Sequence, residues 1–207
     1  MKNILRPKKI GLYNPENEHD ACGIGFVANI KGISSHSIVD NGLEMLENLE
    51  HRGAVGSDKS IGDGAGILLQ IPHLFFKKEL KKNNLSLPNH NHYGIAMIFL
   101  PRKKDLVIRI NKIIKKVLNS YGLVDFFHRK VPVNNNILSK KMRETEPLII
   151  QIFIKHKNSK IIEEKLNVKL FLVGKIITNI ISQEEQNNKL LKIFNICSIS
   201  NTTINYK

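Results

Sequence analysis

Glu18-His19-Asp20-Ala21-Cys22-Gly23-Ile24-Gly25-Phe26 carries a short polar leader into a β-like segment, with a cysteine at the junction. Gly23 and Gly25 flank the start of that segment, where bulk would help packing; glycine there allows close approach of a ligand or another backbone. A second glycine-rich run follows, from His51-Arg52-Gly53 to Gly62-Asp63-Gly64-Ala65-Gly66. Cleavage after Ala21 would make Cys22 the first residue of the working protein. A terminal cysteine holds nucleophile and base together, because its α-amine has a pKa of about 7.7–8.0 and accepts the thiol proton near neutral pH without a partner histidine. Taken alone, Cys22 reads as a small buried core residue. The polar leader and the paired glycines turn the reading to a nucleophile.

A chain of 207 residues with 42% hydrophobic residues is long enough for one domain with a proper core, or one and a fraction. No apolar run approaches the roughly 20 residues that span a bilayer, so no membrane partner is expected. The basic start (Lys2, Arg6, Lys8, Lys9) has no uninterrupted apolar stretch behind it, which argues against a secretory signal. Cys22 and Cys197 are the two cysteines. That usage argues against a disulfide scaffold and fits a reducing compartment, the cytoplasm or a plastid stroma. The net charge of +14 invites a basic nucleic-acid-binding domain as a rival reading. Against it, the lysines are scattered, tryptophan is absent and no stacking platform emerges. Lysine, asparagine and isoleucine are abundant together, as AT-rich codons would produce, so the charge reads as a solvated surface and no nucleic acid is expected.

Periodicity divides the chain into a leader, Met1–Ala21, and one domain from residue 22 to residue 207. Gly23–Ile30 reads as a strand with Ile24, Phe26 and Ala28 on one face. Ser37–Glu50 reads as an amphipathic helix, with Ser37 and Asp40 offering its cap. Ile67–Ile71 is a short strand and Leu74–Leu85 a helix ending in Asn83-Asn84. Tyr93–Leu100 and Leu148–Ile154 are apolar on both faces and should be central strands. Leu106–Leu118 and Lys160–Ser182 are helices, and Ile193–Tyr206 is strand, turn and strand. The alternation excludes an all-α or all-β protein. Ser198–Lys207 stops within an extended pattern, so the chain is expected to end before its fold does, leaving the last strand without a hairpin partner.

Other motifs carry less chemistry. Gly62–Gly66 lacks the Gly-Lys-Ser/Thr ending of a phosphate loop and precedes a strand rather than a helix. The histidines show no H-E-x-x-H spacing and no Cys-x-x-Cys pair exists, so no metal is expected. There is no serine nucleophile elbow. Cys197 reads as core or near-core. Arg52 and Gly53 have two readings: a helix C-cap with Gly53 left-handed, or an arginine that orders a pocket beside a glycine that lets the loop pass the nucleophile.

The stretch Tyr13-Asn14-Pro15-Glu16-Asn17-Glu18-His19-Asp20-Ala21-Cys22-Gly23-Ile24-Gly25-Phe26 closely resembles the start of the large subunit of glutamate synthases. So do Leu49–Asp58, Gly62–His73, Tyr93–Pro101, Val131-Pro132-Val133, Glu144–Pro147 and Ile196–Ser200, across nearly the whole chain. The resemblance implies an N-terminal class II glutamine amidotransferase domain. Its fold would be α+β, the N-terminal nucleophile (Ntn) hydrolase αββα sandwich, incomplete at the C-terminus. Its activity would be hydrolysis of glutamine to glutamate and ammonia. Cys22 then matches the nucleophile, Met1–Ala21 the removed propeptide, and Arg52 and Gly53 the pair beside the glutamine pocket. FMN and an iron–sulfur cluster belong to the synthase part of the full-length enzyme, and no cofactor is implied for this chain. The implied partners are glutamine and the remainder of the large subunit. Gly174 and Thr202 stand where the family pattern has arginines, and Ile61 where it has threonine. The oxyanion Asn-Gly pair and the glutamine-holding arginine and aspartate are expected beyond the position matching Lys207. An inactive truncated remnant, or an interaction fragment, is therefore the alternative to an active glutaminase part.

Overall fold

The computed structural model describes residues 23–49, 64–136, 138–158, 163–185 and 189–206. It separates into two compact units, residues 1–65 and 66–207.

In the first unit the described chain runs without regular structure through residues 23–29, turns, and enters helix α1 (His36–Asn48). The turn is closed by Asn29, whose side-chain oxygen accepts from the N–H groups of Lys31 (2.9 Å) and Ile33 (3.3 Å). Gly32 takes φ +68° there, a conformation that suits glycine. The strand expected over Gly23–Ile30 does not form. A strand is defined by a ladder, and this segment packs its glycines on a helix instead, leaving Ile24 94% and Phe26 90% exposed. Helix α1 starts one residue earlier than the pattern suggests. Ser35 is its cap residue without a side-chain cap bond, and the Ser35 and Ser37 hydroxyls hydrogen-bond to each other at 2.7 Å.

The second unit is built on strand β2 (Tyr93–Leu100), placed as the sequence reads it and buried along nearly its whole length. It lies within an antiparallel sheet of order β3-β4-β2-β5, with β3 at Leu123–Lys130, β4 at Leu148–His156 and β5 at Asn195–Ser200. Alternation sends Ala96, Ile98 and Leu100 to one face of that sheet and Tyr93, Ile95 and Met97 to the other. The first face is covered by α3 (Lys104–Ser120) and α5 (Glu163–Glu185), through Leu106, Ile110, Ile114, Val117 and Leu118 of α3 and Leu166, Leu170, Val173, Ile177 and Ile181 of α5. Opposite are α2 (His73–Lys81) and a two-stranded antiparallel pair, β1 (Ile67–Gln70) with β6 (Thr203–Tyr206), contributing Phe76, Leu80 and Ile204. Helix α2 stops where Asn84 turns to φ +56° and the Leu85 N–H reaches the Leu80 carbonyl at 3.1 Å. The short α4 (Lys140–Thr145) precedes β4, capped by the Ser139 hydroxyl.

Two irregularities re-aim side chains. The β3–β4 register shifts between Asp125 and Phe127, so consecutive Phe126 and Phe127 both reach Phe153, at ring separations of 6.2 and 5.5 Å. A bulge does this by inserting one residue into the pairing. The β2–β5 register shifts at Met97/Ile98, which puts both Ile196 and Ile199 on the helical face and Cys197 half-buried on the other.

The C-terminal segment differs from its expected state. It is not short of partners: β5 pairs with β2, the chain crosses between sheets at Ser200–Thr202, and β6 pairs with β1, with Leu69 opposite a fully buried Ile204. Those partners lie far upstream, where local patterning gives no hint of them. Strand β5 remains an edge of its sheet, and its second row of backbone groups is unpaired within the described ladder.

Phe153 is the hub of the second face, with Phe76 edge-on at 5.1 Å and Tyr93 stacked at 6.3 Å. Phe153→Ala is expected to cost about 3–5 kcal/mol of stability. Phe171→Ala, on a residue 59% exposed, should stay within about 0.5 kcal/mol. Urea unfolding of both variants checks this; equal midpoints would contradict the assigned core.

Candidate functional site

Of the residues singled out in the sequence, Cys22, Arg52, Gly53 and Ile61 lie outside the described residues. Their described neighbours have a defined geometry. A Cβ on Gly23 would lie 2.8 Å from Leu49 Cδ2, and one on Gly25 would run into Met45 Sδ. The segment that follows Cys22 therefore lies directly on the last turns of α1, close enough that a side chain at either glycine would displace the Leu49 or Met45 side chain. Helix α1 ends with the Leu49 N–H bonded to Met45 and Leu46 carbonyls, both at 3.1 Å. The residues flanking the cysteine and those leading to His51-Arg52-Gly53 thus meet at one end of one helix. Gly64 takes φ +92° with open space around its Cβ position, which suits a turn and blocks most other residues.

The second unit carries a buried polar chain that the sequence reading missed. Gln151 is fully buried in β4, in the middle of an otherwise apolar run. Its Nε2 donates to the Tyr206 hydroxyl (3.1 Å), and its Oε1 accepts from Arg129 Nη1 (3.0 Å). Arg129 Nε donates in turn to Glu79 (3.3 Å), and its guanidinium lies over the Phe75 ring at 5.4 Å. The hydrogen bond from Lys82 foremost, and that from Arg129 after it, holds the Glu79 carboxyl below the usual carboxylate range. Burial pushes the Tyr206 phenol up. This chain ties the central sheet to β6 and α2. It holds no nucleophile paired with a base, so it supports rather than reacts. The one signal for it in the sequence is a lone glutamine inside Leu148–Ile154.

At the other end of the same face, His73 Nδ1 and the Tyr93 hydroxyl are 3.1 Å apart, with His90 edge-on to His73 at 5.7 Å. Burial, then the charges of His90 and Lys77, lowers the His73 pKa. Among the described residues no three His, Cys, Asp or Glu side chains converge as a metal site, and no helix is long and apolar enough to cross a membrane.

Gly174 and Thr202, which stand in place of arginines, have structural reasons of their own. A Cβ on Gly174 would lie 2.8 Å from Ile199 Cγ2, so α5 rests against β5 through the missing side chain. Thr202 hydrogen-bonds to the Ser200 hydroxyl at 3.0 Å, and its carbonyl accepts from the Ile71 N–H at 3.0 Å, which anchors the crossover between sheets.

The chain matches the family described as glutamine amidotransferases class-II over residues 22–207. It is 47% identical over 148 residues, 72% of its length, to the glutamate synthase [NADPH] large chain of Bacillus subtilis. Identity is 40%, over 99% of the chain, to the glutamate synthase [NADH] of Saccharomyces cerevisiae, and 36%, again over 99%, to the ferredoxin-dependent glutamate synthase 1 of Arabidopsis thaliana. The matched regions cover 10%, 10% and 12% of these relatives, so the chain spans about a tenth of their length.

Two outcomes check this geometry. Gly174→Ala gains about 1 kcal/mol in helix propensity but overpacks Ile199, at a cost of about 1–3 kcal/mol. A net loss of stability is expected by thermal unfolding, and a rise in Tm would contradict the close approach. The second outcome concerns pH. Burial pushes the Tyr93 phenol up to about 12, so the folded state keeps a proton that an unfolded tyrosine releases near pH 10. Stability should therefore be fully present below about pH 10 and fall as pH rises toward about 12. Urea unfolding at stepped pH should show a shallower fall in Tyr93→Phe than in the parent chain; parallel curves would contradict the burial of Tyr93.

Proposed function

We propose a glutaminase mechanism for this chain on one premise: it belongs to the class II glutamine amidotransferases, as the amidotransferase domain of the glutamate synthase kind. That membership carries the proposal. Cys22 is the nucleophile, freed as the N-terminal residue by removal of residues 1–21, and residues 22–207 form the amidotransferase domain. Its thiol proton passes to its own α-amine. The thiolate attacks the carboxamide carbon of glutamine to give a tetrahedral intermediate. Collapse breaks the C–N bond, the α-ammonium returns the proton to the leaving nitrogen, and ammonia departs. Water then attacks the glutamyl thioester, with the α-amine as base, and releases glutamate and the cysteine.

The packing of Gly23 on Leu49 supports a shared site for Cys22, Arg52 and Gly53. Cys22 is bonded to Gly23, and Arg52 lies three residues beyond Leu49, at most about 11 Å of chain. Arg52 orders the pocket, and Gly53 keeps the loop clear of the sulfur. The sheet covered by α3 and α5 on one face and by α2 and the β1–β6 pair on the other supports the helix–sheet–sheet part of an αββα arrangement. The ammonia would pass to a synthase part that carries FMN and an iron–sulfur cluster and makes glutamate. The cluster does not fit this chain, whose two cysteines fall short of the usual set of four thiolates. No step here runs through either group. The cysteine usage supports a reducing compartment.

N-terminal analysis and ammonia release test the proposal together. The working form should begin at Cys22; together with the remainder of the large subunit, which would bring the oxyanion and glutamine-holding residues, it should release ammonia from glutamine, and Cys22→Ala should fall to the uncatalysed background. An active form that retains residues 1–21 would overturn the terminal-amine mechanism. Equal release by parent and Cys22→Ala would favour the inactive or interaction fragment instead.

A further inference from the structure

Helix α5 has two apolar stripes, and the described residues pack on one. Leu166, Leu170, Val173, Ile177 and Ile181 face the sheet. At about 100° per residue, Val168, Phe171, Leu172 and Lys175 form an i, i+3, i+4, i+7 stripe on the opposite side. There Val168 is 60% exposed, Phe171 59% and Leu172 41%. A helix that is apolar on both sides is the kind that packs on both sides. The Lys175 ammonium lies over the Phe171 ring at 5.6 Å, which keeps a positive charge at the centre of the stripe.

The surroundings are basic. Lys169 Nζ donates to the Tyr121 carbonyl at the end of α3 (3.0 Å), and Arg109 of α3 pairs with Glu184 of α5 at 2.8 Å. The two helices are therefore antiparallel neighbours, and the C-terminal half of α3 lies beside the stripe. That half exposes Lys112, Lys115 and Lys116. From residue 165 to 183 of α5, and from 112 to 120 of α3, there is no acidic residue.

We infer that the outer face of α5 with the C-terminal half of α3 is a docking surface for a protein surface of complementary chemistry, an apolar centre rimmed by carboxylates. Burying Val168, Phe171 and Leu172 supplies the favourable area, and the lysines select the partner by charge. A nucleic acid would use the lysines but gain nothing from valine and leucine. An anionic membrane surface would favour a longer apolar face than three adjacent side chains. The inference goes beyond the glutaminase reading and does not depend on it.

The test uses the full chain and a fluorescent synthetic amphipathic helix, with leucines along one stripe and glutamates at its margins. A lysine-for-glutamate analogue and phosphatidylserine vesicles serve as comparisons. Binding of the acidic helix should exceed that of its basic analogue by about tenfold or more, and should weaken as salt rises. Phe171→Glu should lower affinity by about tenfold, and Lys175→Glu should weaken it through charge alone. Unchanged far-UV circular dichroism would show that both variants fold. Equal binding of the two peptides, no effect of either substitution, or vesicle binding lost in Phe171→Glu without peptide binding would each overturn the inference.

Discussion

Strand β2 meets water on neither face, and the second unit is arranged around that fact. Each large apolar side chain moved out of water contributes about 1.5–3 kcal/mol, and β2 carries such residues in both directions. A strand of this kind needs a neighbour on each edge for its backbone groups and a layer on each face for its side chains. Strands β4 and β5 supply the edges. Helices α3 and α5 supply one layer, and α2 with the β1–β6 pair supplies the other. The final strands are drawn in by the same demand, since β5 completes the ladder and Ile204 of β6 completes the second core.

Close approach and polar cross-linking then fix the layers. Gly94 lets Leu170 of α5 and the Ser200 carbonyl of β5 come against β2, and Gly174 does the same between α5 and Ile199. Across the other face, Gln151 links β4 to Tyr206 of β6 and, through Arg129, to Glu79 of α2. A buried amide is costly unless both its ends are satisfied, so this chain of bonds sets the position of β6 as well as contributing to its stability.

The parts of the fold legible in the sequence are those whose apolar pattern is local. Tyr93–Leu100 and the core stripe of α3 announce themselves because burial on two faces, or on one helical face, leaves a periodic trace. Strand β3 does not. It is an edge strand holding Asp125, His128, Arg129 and Lys130, and its bulge breaks the alternation at Phe126-Phe127. Gly23–Ile30 fails in the opposite sense: it alternates like a strand, but pairing is a tertiary property and its glycines serve contact with α1. Gln151 is invisible to periodicity because its partners come from β3 and β6. For the site, a motif carried the reading. Cys22 was singled out by its leader and glycines, while Arg52 and Gly53 took their meaning from family resemblance, since a helix end alone explains them equally well.

In the proposed glutaminase function the chemistry falls to a single atom, the sulfur of Cys22, acting with the amine of the same residue. The chain's other cysteine, Cys197, half-buried on a bulged edge strand, is an internal control. The most direct measurement is a covalent trap: the processed chain, together with the remainder of the large subunit, is treated with an electrophilic diazoketone analogue of glutamine, and the adduct is located by peptide mass analysis. The account predicts one adduct, on Cys22 as the N-terminal residue, suppressed by excess glutamine. An adduct on Cys197, or labelling of Cys22 that glutamine does not protect, would contradict it.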